Sequence, residues 1–214
     1  SAFNQDIRDW NVSSVKDMNY MFYAASSYNK VLNNWDVSSV TRMDYMFYGA
    51  SILNRQLHNW DVSSVTDMSY MFVDTTNFNP NIGLDSWNVS NVTDMSAMFR
   101  NSGYNKPLNA WDVSSVAIME SMFYDATAFN QPLNDWDVSS VAIMESMFDG
   151  ASSFNQPLGN NFGFESDLPA NFGQRNGNDI HQYAVDTDGN VILMEIDSDP
   201  GYIRFIKVTK TGTL

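Results

Sequence analysis

The chain has 214 residues, no cysteine, two histidines and a formal net charge of −14 from 25 acidic and 11 basic side chains. That balance excludes nucleic-acid or polybasic membrane-surface binding, both of which rest on clustered cations. The missing cysteines remove disulfides, thiol nucleophiles and cysteine-based zinc sites together, and no apolar run approaches the roughly 20 residues of a membrane span.

Residues 1–9 read as the tail of a repeat unit. Ser1-Ala-Phe-Asn-Gln-Asp-Ile-Arg-Asp matches Ser153-Phe-Asn-Gln-Pro-Leu, so the chain is expected to be a piece of a longer protein that opens in mid-unit. From Trp10 onward six units follow, starting at Trp10, Trp35, Trp60, Trp87, Trp111 and Trp136. Each runs W-[DN]-V-S-[SN]-V, then M-x-x-M-F, then [FY]-N. A period of this size marks a solenoid, in which each unit buries its apolar face only against its neighbours.

Within a unit, Trp60-Asp-Val-Ser-Ser alternates apolar and polar residues, so Trp60 and Val62 should point one way and Asn59, Asp61 and Ser63 the other, as in a short strand. Ser64 is then placed to cap a helix with Asp67 three positions on, and Val65, Met68, Met71 and Phe72 share one helical face. Twelve of the 13 methionines occupy the two Met columns. Such a helix spans only about two turns and depends on packing against its neighbours. Gly49 and Gly150 stand where a left-handed cap would sit, and Pro107, Pro132 and Pro157 suit an extended return. The expected fold is therefore α/β: a leucine-rich-repeat-like solenoid over residues 1–160, with one short strand and one short helix per unit and a parallel sheet. The third unit carries two extra residues around Asn79-Pro-Asn-Ile-Gly-Leu-Asp-Ser, and the fourth is one short near Asn101-Ser-Gly.

Residues 161–178, rich in Gly, Asn and Phe, read as a linker or return loop. Strand-like runs at 180–185, 191–196 and 202–208, separated by Asp186-Thr-Asp-Gly-Asn190 and Asp197-Ser-Asp-Pro-Gly201, predict a β-meander within 179–214, serving as a cap or as part of another domain.

Several residues invite sharper readings. Parallel stacking would bring Asp36 beside Asp61 and Asp112 beside Asp137, at about 4.8 Å, which suits either a calcium ladder or Asx turns, with Asn11 and Asn88 fitting only the latter. Asp186, Asp188, Gly189 and Glu195 partly match a calcium loop, but Ala184 occupies its first ligand position and a hairpin turn explains the run more simply. Helical arithmetic sends Tyr20, Tyr45 and Tyr70 away from the Met-Met-Phe face, with Tyr23, Tyr48 and Tyr124 on the same flank. An exposed stripe would suit stacking on sugars or anchoring a protein; the alternative is that the rings cover grooves between units. Asp17, Arg42 and Asp67 alternate in sign and read as register-fixing ion pairs. Asn11, Asn88 and Asn91 carry the glycosylation pattern where the repeat simply accepts Asn.

The motifs W-D-V-S-S-V-T-D-M-S-Y-M-F at 60–72 and F-N-Q-P-L-N-D-W-D-V-S-S-V at 129–141 resemble the BspA-like, leucine-rich surface-protein repeat. Repeats of this kind occur in mycoplasma lipoproteins and in surface proteins of Listeria and lactic acid bacteria. The resemblance covers residues 1 to about 160 and implies an extracellular or cell-surface adhesion module with no catalytic residues. The expected function is non-enzymatic binding of a protein or glycan partner on a host, prey or neighbouring cell. Tyr20, Tyr23, Tyr45, Tyr48 and Tyr70 are the candidate contacts, with no metal, cofactor, nucleic-acid or membrane-insertion site. A stalk that presents the C-terminal segment is the alternative, and a polysaccharide-degrading solenoid with paired carboxylates is a remote one. An open solenoid end around Phe3 and Trp10 offers apolar surface for self-association.

Overall fold

The structure, a computed structural model, describes residues 3–78 and 83–156, together with the backbone of three strands further on. Among the described residues of the repeat array there is no helix and no extended strand. The expected strand-and-helix solenoid is thus corrected: each unit is a coil of consecutive turns. Coils stack one on the next through backbone hydrogen bonds and a common apolar interior.

The M-x-x-M-F segment shows how. In the second coil the N–H groups of Met43, Tyr45, Phe47 and Gly49 donate to the carbonyls of Asp67, Ser69, Met71 and Val73 in the third, at 2.8–3.0 Å. The intervening N–H groups of Met46, Tyr48 and Ala50 donate three residues back within the coil, to Met43, Tyr45 and Phe47. Every second amide therefore ties neighbouring coils, whereas a helix would turn all of them inward upon itself. Tyr45 and Gly49 have φ of 56° and 69°, where a type II turn carries positive φ. The pattern recurs at Tyr20 and Ala24, Tyr70 and Asp74, Ala97 and Asn101, Ser121 and Asp125, and Ser146 and Gly150. Gly49 and Gly150 are left-handed as the sequence suggests, but they close turns and cap no helix.

Trp60 and Val62 are buried and Asn59 and Asp61 exposed, as the alternation predicts. Even so, Trp60 N–H donates to Leu57 and Val65 N–H to Val62, so this stretch turns twice where a strand was expected. Ser64 caps nothing helical; its hydroxyl donates to the Ser38 carbonyl at 2.9 Å. Pairing between coils in the parallel sense is one residue wide, along Asp17, Arg42, Asp67, Asp94, Ile118 and Ile143.

Burial explains why the turns hold. Phe22, Phe47, Phe72, Phe99, Phe123 and Phe148 stack with successive centroids 5.2–5.7 Å apart, and Met43, Met46, Met68 and Met71 are fully enclosed. Each indole from Trp35 onward donates to a carbonyl of the return segment that leads into the preceding coil, as Trp60 does to Leu32 at 2.9 Å and Trp111 to Leu84 at 2.8 Å. A buried indole N–H left unpaired would cost about 1–3 kcal/mol, so this bond fixes register as well as spacing. Trp10 is 56% exposed, against 3% or less for the other five.

Side-chain ladders complete the stacking. Asn29 N–H donates to Asn4 Oδ1, Asn54 N–H to Asn29 Oδ1, and the pattern resumes from Asn105 through Asn130 to Asn155. Thr41, Thr66 and Thr93 hydroxyls donate to the carbonyls of Lys16, Thr41 and Thr66. The missing residue of the fourth unit is visible at Gly103, where a Cβ would lie 2.2 Å from the Thr76 carbonyl oxygen. Of the third unit's insertion, residues 79–82 lie outside the described residues, as do the 161–178 linker and the 186–190 turn of the calcium-like loop.

Farther along, β1 (Asp179–Val185), β2 (Val191–Ile196) and β3 (Ile203–Val208) form an antiparallel sheet in the order β1-β2-β3. This is the meander expected from the sequence, with an irregularity in β1 between Ile180 and Gln182.

Candidate functional site

Five tyrosines named from the sequence come together on one side of the first three coils. Tyr20 stacks on Tyr45 at 4.7 Å and Tyr45 on Tyr70 at 4.5 Å, each pair within 5° of parallel. A second column sets Tyr23 on Tyr48 at 4.9 Å, tied to the first by tilted Tyr20–Tyr23 contact at 5.4 Å. The turn geometry dictates this. Positive φ at Tyr20, Tyr45 and Tyr70 swings each side chain out of the coil, and the coil spacing then sets ring on ring, close to the preferred stacking range. The rings stack across the grooves between coils; Tyr20 and Tyr23 at the end of the columns are 49% and 46% exposed, and Tyr45, Tyr48 and Tyr70 are half-buried. None of the five hydroxyls is bonded to another described residue. Burial, with neighbouring rings and Asp44 adding, pushes the Tyr45 hydroxyl up to about 12, so it remains a donor at physiological pH. The columns end at Ala97, Ser121 and Ser146 on one side and at Val73 on the other. Tyr124 sits farther along, covered by the Arg100 guanidinium 4.6 Å from its ring centre.

Stacking decides what the site can offer. An inner rung has both faces covered by its neighbours, so only the ring rims and hydroxyls look outward. A pyranose needs an open ring face, and the Tyr45 ring has none.

The carboxylate columns are occupied by turns. Asn11, Asp36, Asp61, Asn88, Asp112 and Asp137 each accept the backbone N–H two residues on, through Oδ1 at 3.0–3.2 Å. This is the Asx-turn alternative, and serine hydroxyls reinforce it at 2.6 Å for Asp36, Asp61 and Asp112. A second Asx column was not anticipated: Asp17, Asp67 and Asp94 accept from Asn19, Ser69 and Ser96. Its signal was the D-M-S and D-M-N spacing, masked by the helical reading. Among the described residues no group of three or more His, Cys, Asp or Glu is placed to hold a metal ion. The expected alternation of ion pairs is partial. Arg42 lies 3.7 Å from Asp17 and binds Asp44 through two nitrogens at 3.1 Å, with no pairing to Asp67 within the described residues. A shallow cleft of about 410 Å³ on the return side is lined by Val31, Asn33, Asn34, Asn54, Arg55 and Gln56, without a carboxylate.

Stacked coils, aromatic and asparagine ladders and a one-residue-wide parallel pairing define a tandem-repeat protein whose units are interchangeable rungs. The chain belongs to the repeat family described as "Mycoplasma protein of unknown function, DUF285", whose model matches residues 1–101 and 81–167. No curated protein and no solved structure matches it.

Proposed function

We propose that the array is a non-enzymatic interaction module of a BspA-like, surface-exposed protein, and that it docks a protein partner on the tyrosine face. The observation that carries this reading is the double tyrosine column, about half exposed at its Tyr20–Tyr23 end and with hydroxyls bonded to no other described residue, on a scaffold whose other polar side chains are largely spent on turns and ladders. Rigid tyrosines give large contact area at low entropic cost, and the stacked neighbours have already fixed these rotamers. The covered faces of the inner Tyr45 ring favour a protein over a glycan at that rung.

The test uses Tyr20→Ser, Tyr45→Ser and Tyr70→Ser together. The fold tolerates serine in this column, since Ser121 and Ser146 hold the same left-handed φ of 55°. Wild-type chain is expected to adhere to cells, to lose adhesion when the cells are pretreated with trypsin, and to lose it equally with the triple variant. Adhesion unchanged by the substitutions would overturn the site. Adhesion lost only on removing residues 161–214 would establish the stalk reading instead.

A further inference from the structure

We propose that the segment received by the tyrosine face is cationic, its arginine or lysine heads reaching the carboxylates of Asp17, Asp67 and Asp94 while their stems lie along the rims of Tyr20, Tyr45 and Tyr70. This rests on the docking reading above and specifies the partner's chemistry.

Three residues before Tyr20, Tyr45 and Tyr70 lie Asp17, Arg42 and Asp67 of the one-residue-wide parallel pairing, which Asp94 continues in the next coil, three residues before Ala97. The two columns therefore run side by side at the coil spacing. Next to them Asp44 is buried, 4% exposed. Arg42 is the cation of this strip; Asp44 holds it through two nitrogens, while Asp17 lies 3.7 Å from it with its side chain half exposed. Asp67 and Asp94 use Oδ1 for their own turns, bonded to the N–H and hydroxyl of Ser69 and Ser96. Neither has an ion-pair partner among the described residues, so negative charge beside the rings is unmatched.

The same face seats guanidinium groups twice from its own chain. Arg42 is held by the bidentate carboxylate of Asp44, two residues on in the same coil, the strong mode of arginine recognition. Arg100 lies over Tyr124, 4.6 Å from the ring centre, within cation–π range. Both modes suit an incoming arginine. A second copy of the chain fits poorly, because two surfaces of a protein with net charge −14 repel.

The experiment titrates the full chain with a short oligo-arginine peptide, with oligo-glutamate as the reference, at low and high salt. Three variants keep the fold. Asp17→Asn, Asp67→Asn and Asp94→Asn together remove charge but retain the turn-closing oxygen, as Asn11 and Asn88 do in the neighbouring Asx column. The tyrosine-to-serine triple removes the rims. Asp36→Asn, Asp112→Asn and Asp137→Asn together make the same change of charge in the other Asx column. Expected are salt-sensitive binding of oligo-arginine, none of oligo-glutamate, weakening of about tenfold or more in the first two variants, and less than about twofold in the third. Equal weakening by both asparagine triples would overturn the inference, because the affinity would then reflect net charge alone, and so would an absence of oligo-arginine binding. Either result leaves the docking reading standing if trypsin-sensitive adhesion still depends on the tyrosines. Adhesion indifferent to the tyrosines, with oligo-arginine bound as expected, would overturn the docking reading and not the chemistry of the face.

Discussion

At the scale of single residues, the repeat shows which side chains are spent on structure and which sit at odds with it. Tyr28 and Tyr104 are enclosed in the column that elsewhere holds Phe78, Phe129 and Phe154, and their hydroxyls find no partner among the described residues. Burial raises both well above the ordinary tyrosine value. An unsatisfied buried hydroxyl costs about 1–3 kcal/mol, so Tyr104→Phe is expected to stabilise the array by about 1 kcal/mol, read as a higher denaturation midpoint at unchanged slope. A loss of stability would mean that the hydroxyl has a partner. The Asx carboxylates give a second prediction. The Ser38 and Ser114 hydroxyls, then their N–H groups, hold Asp36 and Asp112 below the ordinary value of 3.8. Their contribution is full above that value and is lost as the pH falls through the lower folded-state values. Asp44 runs the opposite way. Burial, and then Asp67, raises it despite Arg42, so its contribution is present at low pH and lost as the pH rises through the raised value. Asp36→Asn with Asp112→Asn should therefore flatten the acid limb of a stability–pH profile below about pH 4 while leaving the fold intact at neutral pH, since Asn closes the same turn at positions 11 and 88. A profile that keeps its acid limb would assign that limb to other carboxylates.

At the scale of the element, the repeat teaches why a helix-like pattern can be satisfied without a helix. The residues placed on the core face from spacing, Val65, Met68, Met71 and Phe72, are all buried, and the tyrosines lie off that face, Tyr20 and Tyr23 exposed and Tyr45, Tyr48 and Tyr70 half-buried. What spacing could not show is which way the amides point. Turn closure from Met71 to Met68 brings residues three apart to one side, as a helical turn does, so apolar periodicity is the same for both. The distinguishing signal was one column later, where Ala24, Gly49, Asp74, Asn101, Asp125 and Gly150 take positive φ; glycine, asparagine and aspartate there favour the left-handed region. At the tyrosine column no such signal exists, since Tyr, Ala and Ser have no liking for that region, and cross-coil bonds enforce it at about 1–2 kcal/mol per residue. Ser146→Gly, at φ 55°, should then stabilise by roughly 0.5–1 kcal/mol. Gly103→Ala should destabilise by roughly 1–3 kcal/mol, because its new Cβ meets the Thr76 carbonyl oxygen at 2.2 Å. Equal and small effects from both changes in thermal unfolding would count against the turn geometry.

At the scale of the molecule, stability is shared between adjacent coils, as in other arrays whose units contact only their neighbours. The hydrogen bonds that cross coils, the phenylalanine stack and the indole-to-carbonyl bonds all link a unit to the next one along, so a whole rung can be removed if register is kept. Residues 111–135 form such a rung. Their deletion joins Ala110 to Trp136, so that Trp136 takes the place of Trp111 and its indole can reach the Leu84 carbonyl as Trp111 does at 2.8 Å. Phe148 then falls on Phe99, as Phe123 does at 5.5 Å. The shortened chain is expected to unfold cooperatively, with a smaller denaturant slope in proportion to the surface removed, and to keep its tyrosine face unaltered, since Tyr20 to Tyr70 lie in the first three coils. Deleting residues 111–123 alone removes the turns but keeps the return, putting Tyr124 where Trp111 belongs and Trp136 where Phe123 belongs and breaking both ladders. That chain should lose cooperative unfolding. If the half-coil deletion folded as well as the whole-coil deletion, the array would not be held by register-specific ladders, and an interior of merely apolar residues would be enough.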